Sequence, residues 1–193
     1  MAETITPAVH GGRRKPYVVS SLLHVAGATV SAAALGLVLG GLGMLLRAPQ
    51  DPATPAVVAA VAAVYFVREA FRVPVPLPDR KRQVPEWWRT FFSPPAAAFL
   101  YGLGLGVGVL TYLTFGTFAA VMAAAVAAGD PLPAALLCAP FGLGRGFAVV
   151  AATWSADRET IERLDDLATS RGPRLANAAV LAAIAVAAVV TLV

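Results

Sequence analysis

The stretch "LYGLGLGVGVLTYLTF", Leu100–Phe115, is apolar enough to sit in lipid, yet glycine fills every second place from Gly102 to Gly108. It lies inside Thr90–Gly129, a run of 40 residues with no Asp, Glu, Lys or Arg. As one straight helix, a run of that length would extend about 60 Å at 1.5 Å per residue. The hydrocarbon layer of a bilayer is only about 30 Å thick. The run therefore crosses twice, or crosses once by a broken, partly re-entrant route. Two crossings would carry the arginine-bearing stretch at 155–175 to the outer side, against the tendency of Lys and Arg to stay cytoplasmic. No polar turn divides the run either. One net crossing with a break is the reading that follows.

Other uncharged runs flank this one: Pro16–Leu46 and Leu175–Val193. Apolar residues make up 58% of the 193 residues and charged residues 13%. A soluble domain carries about 25% charged residues, so this chain lacks the polar surface to cover a water-exposed body. The expected fold is all-α, a polytopic membrane helix bundle. A cytoplasmic tail, 1–17, precedes a single transmembrane domain, 18–193, with spans at about 18–46, 55–73, 95–128, 133–154 and 175–193. The first apolar run is too long for the core of a signal peptide and reads as an uncleaved span.

Basic residues alternate between the connections. Arg13, Arg14 and Lys15 precede the first span. Arg80, Lys81, Arg82 and Arg89 follow the second, and Arg158, Arg163, Arg171 and Arg174 follow the fourth. The remaining two connections hold only Arg47. Lys and Arg near span ends stay inside. The expected location is the inner (plasma) membrane, with the amino terminus cytoplasmic and the carboxyl terminus outside. The bases sit in short clusters beside apolar runs, so the net charge of +4 points to headgroups and not to nucleic acid. Trp87 and Trp88 fit the aromatic belt at the membrane surface. "SADRETIERLDDLATSRG", Ser155–Gly172, reads as a short surface helix.

The candidate site lies where polar or flexible groups interrupt apolar spans. Gly102/Gly106 and Gly104/Gly108 are overlapping small-xxx-small pairs that permit close helix contact. The same glycines also suit a helix break, which survives at membrane depth only where protein or cavity water satisfies the freed backbone. Thr111, Thr114, Gly116 and Thr117 stand ready to help there. Arg145 lies near the middle of the fourth span, where a cation costs about 2.5–3.5 kcal/mol on insertion scales. No acid sits at matching depth; Glu69 belongs near the inner end and Asp130 near the outer. Its expected partners are carbonyls of the broken segment, water or an anion. Pro140 kinks that span, and Asn177 is placed to bond across helices. Cys138 is the one cysteine, which precludes an internal disulfide. His10 and His24 lack metal-ligand spacing. No catalytic residue set, metal site or cofactor motif is present. The expected partners are the lipid bilayer and a membrane-protein partner or a second copy of the chain.

The order of features from Ala33 to Trp154 resembles the transmembrane domain of the CcdA/DsbD family. The residues that carry it are "ALGLVLGGLGMLLR" (Ala34–Arg47), "LYGLGLGVGVLTYLTFGTF" (Leu100–Phe118) and "GDPLPAALLCAPFGLGRG" (Gly129–Gly146). Members of that family pass reducing equivalents across the membrane for cytochrome c maturation and extracytoplasmic thiol reduction. The family's Thr-Pro-Cys-like motif corresponds here to Thr111-Tyr112-Leu113, without a cysteine, and the family's first span has no counterpart. Two thiols are needed to carry two electrons as a disulfide, and Cys138 occupies neither active position. The resemblance thus implies a redox-inactive accessory or subunit of a cytochrome c or thiol-redox membrane assembly. The rival expectation is a small-solute or anion transporter built from the broken third segment, Arg145, Thr114 and Thr117.

Overall fold

A computed structural model describes residues 7–11, 13–77, 87–108, 113, 115–154 and 170–191. The regular elements are helices, with no strand among the described residues. In chain order they are α1 (Arg14–Leu45), α2 (Thr54–Phe71), α3 (Trp88–Phe91), α4 (Pro94–Gly106), α5 (Thr117–Ala128), α6 (Pro131–Trp154) and α7 (Arg171–Val190). Short 3-10 turns at Pro7–His10 and Ala48–Gln50 flank α1. Four helices, α1, α2, α6 and α7, are long and apolar enough to cross a membrane. The surface helix expected at Ser155–Gly172 falls mostly outside the described residues.

Local chemistry sets the boundaries. The Asp51 carboxylate accepts the Ala53 N–H at 2.9 Å, and Pro55 lies in the first turn of α2, where its missing N–H costs nothing. At the far end Arg72 turns left-handed at φ 60°, and Pro74 and Pro76 prevent the helix from resuming. Ser93 is extended before Pro94 and Pro95, which open α4. The long uncharged run is not one helix: after the end of α3 it holds α4 and α5. α4 holds 13 residues and α5 holds 12, with Val107, Gly108, Leu113, Phe115 and Gly116 non-helical between them. Gly108 takes φ +75°, a value open to glycine at no steric cost.

The chain packs as two compact units. One comprises the first part of α1, α3, α4 and the later part of α6. Here α1 and α4 run side by side in the same direction. Tyr17 packs on Ala98, and the His24 Nδ1–H donates to the Ala98 carbonyl at 3.1 Å. A Cβ on Gly102 would run into the His24 carbonyl, and one on Gly106 into the Ala28 carbonyl. Gly142 and Gly146 of α6 meet the same face of α1 at Ala28 and Val25.

The second unit comprises the later part of α1, α2, α5, the beginning of α6, and α7. α2 lies along α7 and α5 lies on α2. Ala62, Ala120 and Leu181 are fully buried at their junction, with Tyr65, Phe66 and Ile184 around them. Gly36 and Gly40 of α1 lie against Ala134 and Asp130, so α6 begins antiparallel to α1. Both interiors are built mainly from Ala and Gly. Where the surroundings are as apolar as the side chains, close backbone approach and van der Waals contact hold helices together.

This packing makes a testable distinction between glycines. Gly106→Ala should destabilise by roughly 1–3 kcal/mol, the usual cost of overpacking, because the obstacle is main chain. Gly144 has nothing within 4 Å of a new Cβ. Gly144→Ala should be neutral or stabilising by about 0.5–1 kcal/mol, the helix-interior penalty of glycine. Thermal unfolding of the two variants in the same detergent checks the pair; equal behaviour would dismiss the close-approach account.

Candidate functional site

The residues expected to form a site fall into two groups, one in each unit. Gly102, Gly104, Gly106, Gly108 and Arg145 belong to the first unit, where all four glycines are buried and Arg145 is half-buried. Gly116 and Thr117 belong to the second. Thr111 and Thr114 lie outside the described residues.

In the first unit the centre is the end of α4. A helix terminus leaves its last carbonyls without intrahelical donors and carries about half a negative charge. The Leu105 carbonyl accepts the Gly108 N–H at 3.2 Å and the Arg145 Nη1–H at 3.2 Å. The Arg145 guanidinium also lies over the Phe141 ring, 5.5 Å from its centroid. α6 thus brings a cation to the negative pole of α4 and covers it with an aromatic face. Gly102 and Gly106, one helical turn apart on α4, let α1 approach closely on another side.

In the second unit the centre is the start of α5. The Glu69 side chain is 1% exposed, and its Oε1 accepts the Gly116 N–H at 3.1 Å. A carboxylate is thereby set at the positive pole of α5. Arg68 pairs with the same carboxylate through Nη1 and donates from Nε to the Val75 carbonyl at 3.0 Å. Tyr65, one turn back from Glu69, donates its hydroxyl to the Pro76 carbonyl at 3.1 Å, and its ring occupies the space a Cβ on Gly116 would need. Tyr65, Arg68 and Glu69 of α2 therefore clamp the proline-rich exit and Gly116, the residue before α5, together. On the other side, the Thr117 hydroxyl donates to Asn177 Oδ1 of α7. The Asn177 amide in turn donates to the Pro173 carbonyl at 2.8 Å. A cleft of about 490 Å³ between α2, α5 and α7 is lined by Ala48, Thr54, Val58, Ala124, Ile184 and Thr191, among others. Among the described residues its lining holds no charged side chain.

Sequence reasoning missed the Glu69 joint. The signal was available, because Glu69 is the one acid between Asp51 and Asp79 and lies in an apolar run. It was assigned to the inner helix end and left without a partner. Also missed was a buried polar stripe on α1. Ser20, Ser21 and His24 are buried there, and Ser20 Oγ lies 2.8 Å from His10 Nε2. These groups recur at helical spacing on one face, but apolar neighbours mask them in a hydropathy reading. Among the described residues no group of three or more His, Cys, Asp or Glu side chains comes together to hold a metal.

No family model and no solved structure matches the chain. Curated proteins do match. The methylamine utilization protein MauF of Methylorubrum extorquens is 37% identical over 130 residues, 67% of this chain and 46% of that protein. The protein of the same name from Paracoccus denitrificans is 34% identical over 124 residues, 64% of this chain and 45% of its own length. That from Methylophilus methylotrophus is 32% identical over 123 residues, 63% and 43%. The chain spans about half the length of these relatives.

These matches correct the resemblance to the CcdA/DsbD family. The proteins similar to this chain carry a methylamine utilization name and not a cytochrome c biogenesis one. The reading as a redox-inactive accessory or subunit of a cytochrome c or thiol-redox assembly falls with it, and so does the alternative of a small-solute or anion transporter. The physical reason lies in what carried the resemblance. Apolar runs and glycines at helical spacing are what close packing of helices demands in any bundle of this kind. No residue with specific chemistry anchored the likeness, and Leu113 stands where a redox cysteine was required.

The Glu69 joint is open to direct test. A hydrogen bond to a charged group is worth about 1.5–3 kcal/mol net. Glu69→Ala removes the acceptor for Gly116 and leaves Arg68 without its counter-charge, so it should cost roughly that amount or more. Glu69→Gln keeps an acceptor and should cost less. Thermal inactivation midpoints in detergent rank the three proteins; an alanine variant as stable as the parent would show that the joint holds nothing.

Proposed function

We propose that the chain is a multi-pass membrane component of methylamine utilization, embedded in the inner (plasma) membrane. The observation that carries the reading is the 37% identity with the methylamine utilization protein MauF across two thirds of this chain. Relatives of the same printed name from other genera support it over much the same length.

The reading includes five crossings. The four long helices supply four. α4 and α5, at 13 and 12 residues, extend about 20 and 18 Å. Each is short of the roughly 30 Å layer, and in tandem they supply one crossing interrupted near its middle. Arg145 on the Leu105 carbonyl and Glu69 on the Gly116 N–H satisfy one backbone group at each of the two helix ends. The distribution of Lys and Arg supports a cytoplasmic amino terminus and an outer carboxyl terminus.

Two experiments test the reading. Disruption of the coding sequence in its own host should abolish growth with methylamine as the sole source of carbon and nitrogen. Growth on succinate and ammonium should persist, and the intact sequence supplied in trans should restore growth on methylamine. Undiminished growth on methylamine would refute the assignment. Separately, reporter fusions after residues 85 and 165 should both report the cytoplasm, and a fusion after residue 193 the outside. Fusions at 85 and 165 on opposite sides would overturn the single broken crossing.

A further inference from the structure

Arg13, Arg14 and Lys15 stand together at the start of α1, and all three are exposed. For cations this is the unfavourable pole, since a helix amino terminus carries about half a positive charge. The first turn of α1 holds no acidic residue to offset them. Among the described residues the one ion pair is Arg68–Glu69, which leaves these three charges uncompensated within that part of the chain.

A second feature belongs to the same unit. Trp87, Phe91 and Phe92 are 54%, 78% and 42% exposed at the entry to α4. Their rings form one shelf, with Trp87 5.8 Å from Phe91 and 6.3 Å from Phe92 between centroids. The shelf is anchored, because the Trp88 ring, 6.2 Å from that of Trp87, meets the Tyr101 ring edge-on at 5.8 Å, beside buried Ala97.

The two features share one end of that unit. Tyr17 packs on Ala98, His24 bonds the Ala98 carbonyl, and Ala28 meets Gly106. Rising numbers on α1 thus match rising numbers on α4, so the helices start at the same end. Exposed cations with no ion pair among the described residues, beside exposed aromatic rings, match the chemistry of a membrane surface. Aromatic rings settle at headgroup level, and basic residues are drawn to anionic lipid. We propose that the start of α1 and the Trp87–Phe92 shelf form one collar that binds the headgroups of anionic phospholipids. The collar rests on the membrane-spanning part of the reading above and not on methylamine.

The test uses the full chain in nanodiscs of phosphatidylcholine doped with a minor fraction of brominated lipid. Trp88→Phe and Trp154→Phe leave Trp87 as the only tryptophan. Brominated phosphatidylglycerol should quench Trp87 roughly twofold more than brominated phosphatidylcholine at the same fraction. Arg13→Gln, Arg14→Gln and Lys15→Gln combined should erase that preference while leaving quenching by phosphatidylcholine. Native mass spectrometry of the unsubstituted chain from mixed-lipid micelles gives a second readout, in which phosphatidylglycerol should be retained preferentially. Equal quenching by the two lipids, a Trp87 quenched by neither, or a preference that survives the triple glutamine substitution would each overturn the collar. Failure of the spanning reading would show itself differently, as release of the chain from membranes by an alkaline wash.

Discussion

A helix that ends among apolar neighbours leaves a partly charged pole with little water to neutralise it. Here the carbonyl end of α4 receives a cation, and the N–H end of α5 receives a carboxylate. Arg145 donates to the Leu105 carbonyl, and Glu69 accepts from Gly116. Each side chain matches the sign of the pole it meets. An unpaired backbone group costs several kcal/mol in an apolar medium, and both partners come from far away in sequence. Arg145 comes from 40 positions beyond Leu105, and Glu69 from 47 positions before Gly116.

That the long uncharged run is not one straight helix was legible in the sequence. Forty uncharged residues are too many for one straight crossing, and glycine at every second place weakens the helix where the excess must be absorbed. Where it ceases to be helical was less legible. The densest glycines, Gly102, Gly104 and Gly106, lie within α4, and the non-helical residues begin only at Val107. Gly102 and Gly106 meet α1 so closely that no side chain fits. Gly102 and Gly106 face α1, whereas Gly108, with positive φ, stands past the end of α4.

The lack of an acid at the depth of Arg145 pointed to carbonyls of the broken segment, water or an anion, and the guanidinium donates to the Leu105 carbonyl at the end of α4. What the sequence hid was the partner of Glu69, because no residue type marks the start of a helix at that depth. Two residues from the end of α2, Glu69 invites assignment to the surface, yet Tyr65 and Arg68 wrap it against the start of α5. Asn177 was easier to place, because an amide in an alanine-rich span has little to do except bond a neighbouring helix. It bonds Thr117.

The mistaken family resemblance has the same origin as the successes. Span order, glycine spacing and basic connections are imposed by lipid and by close packing, so they recur wherever those constraints act. They identify a kind of architecture and carry little information about chemistry. Residues that escape the constraint are more informative, because apolar surroundings penalise each of them. Glu69, Arg145, Asn177, Ser20 and His24 are of this kind. All five sit in helices long enough to cross a membrane, and each has a defined partner: a helix end, a neighbouring backbone carbonyl or another side chain. In a bundle built from alanine and glycine, these polar contacts specify which helix faces meet and at what height. Small side chains alone would let the helices slide past one another by a turn at little cost.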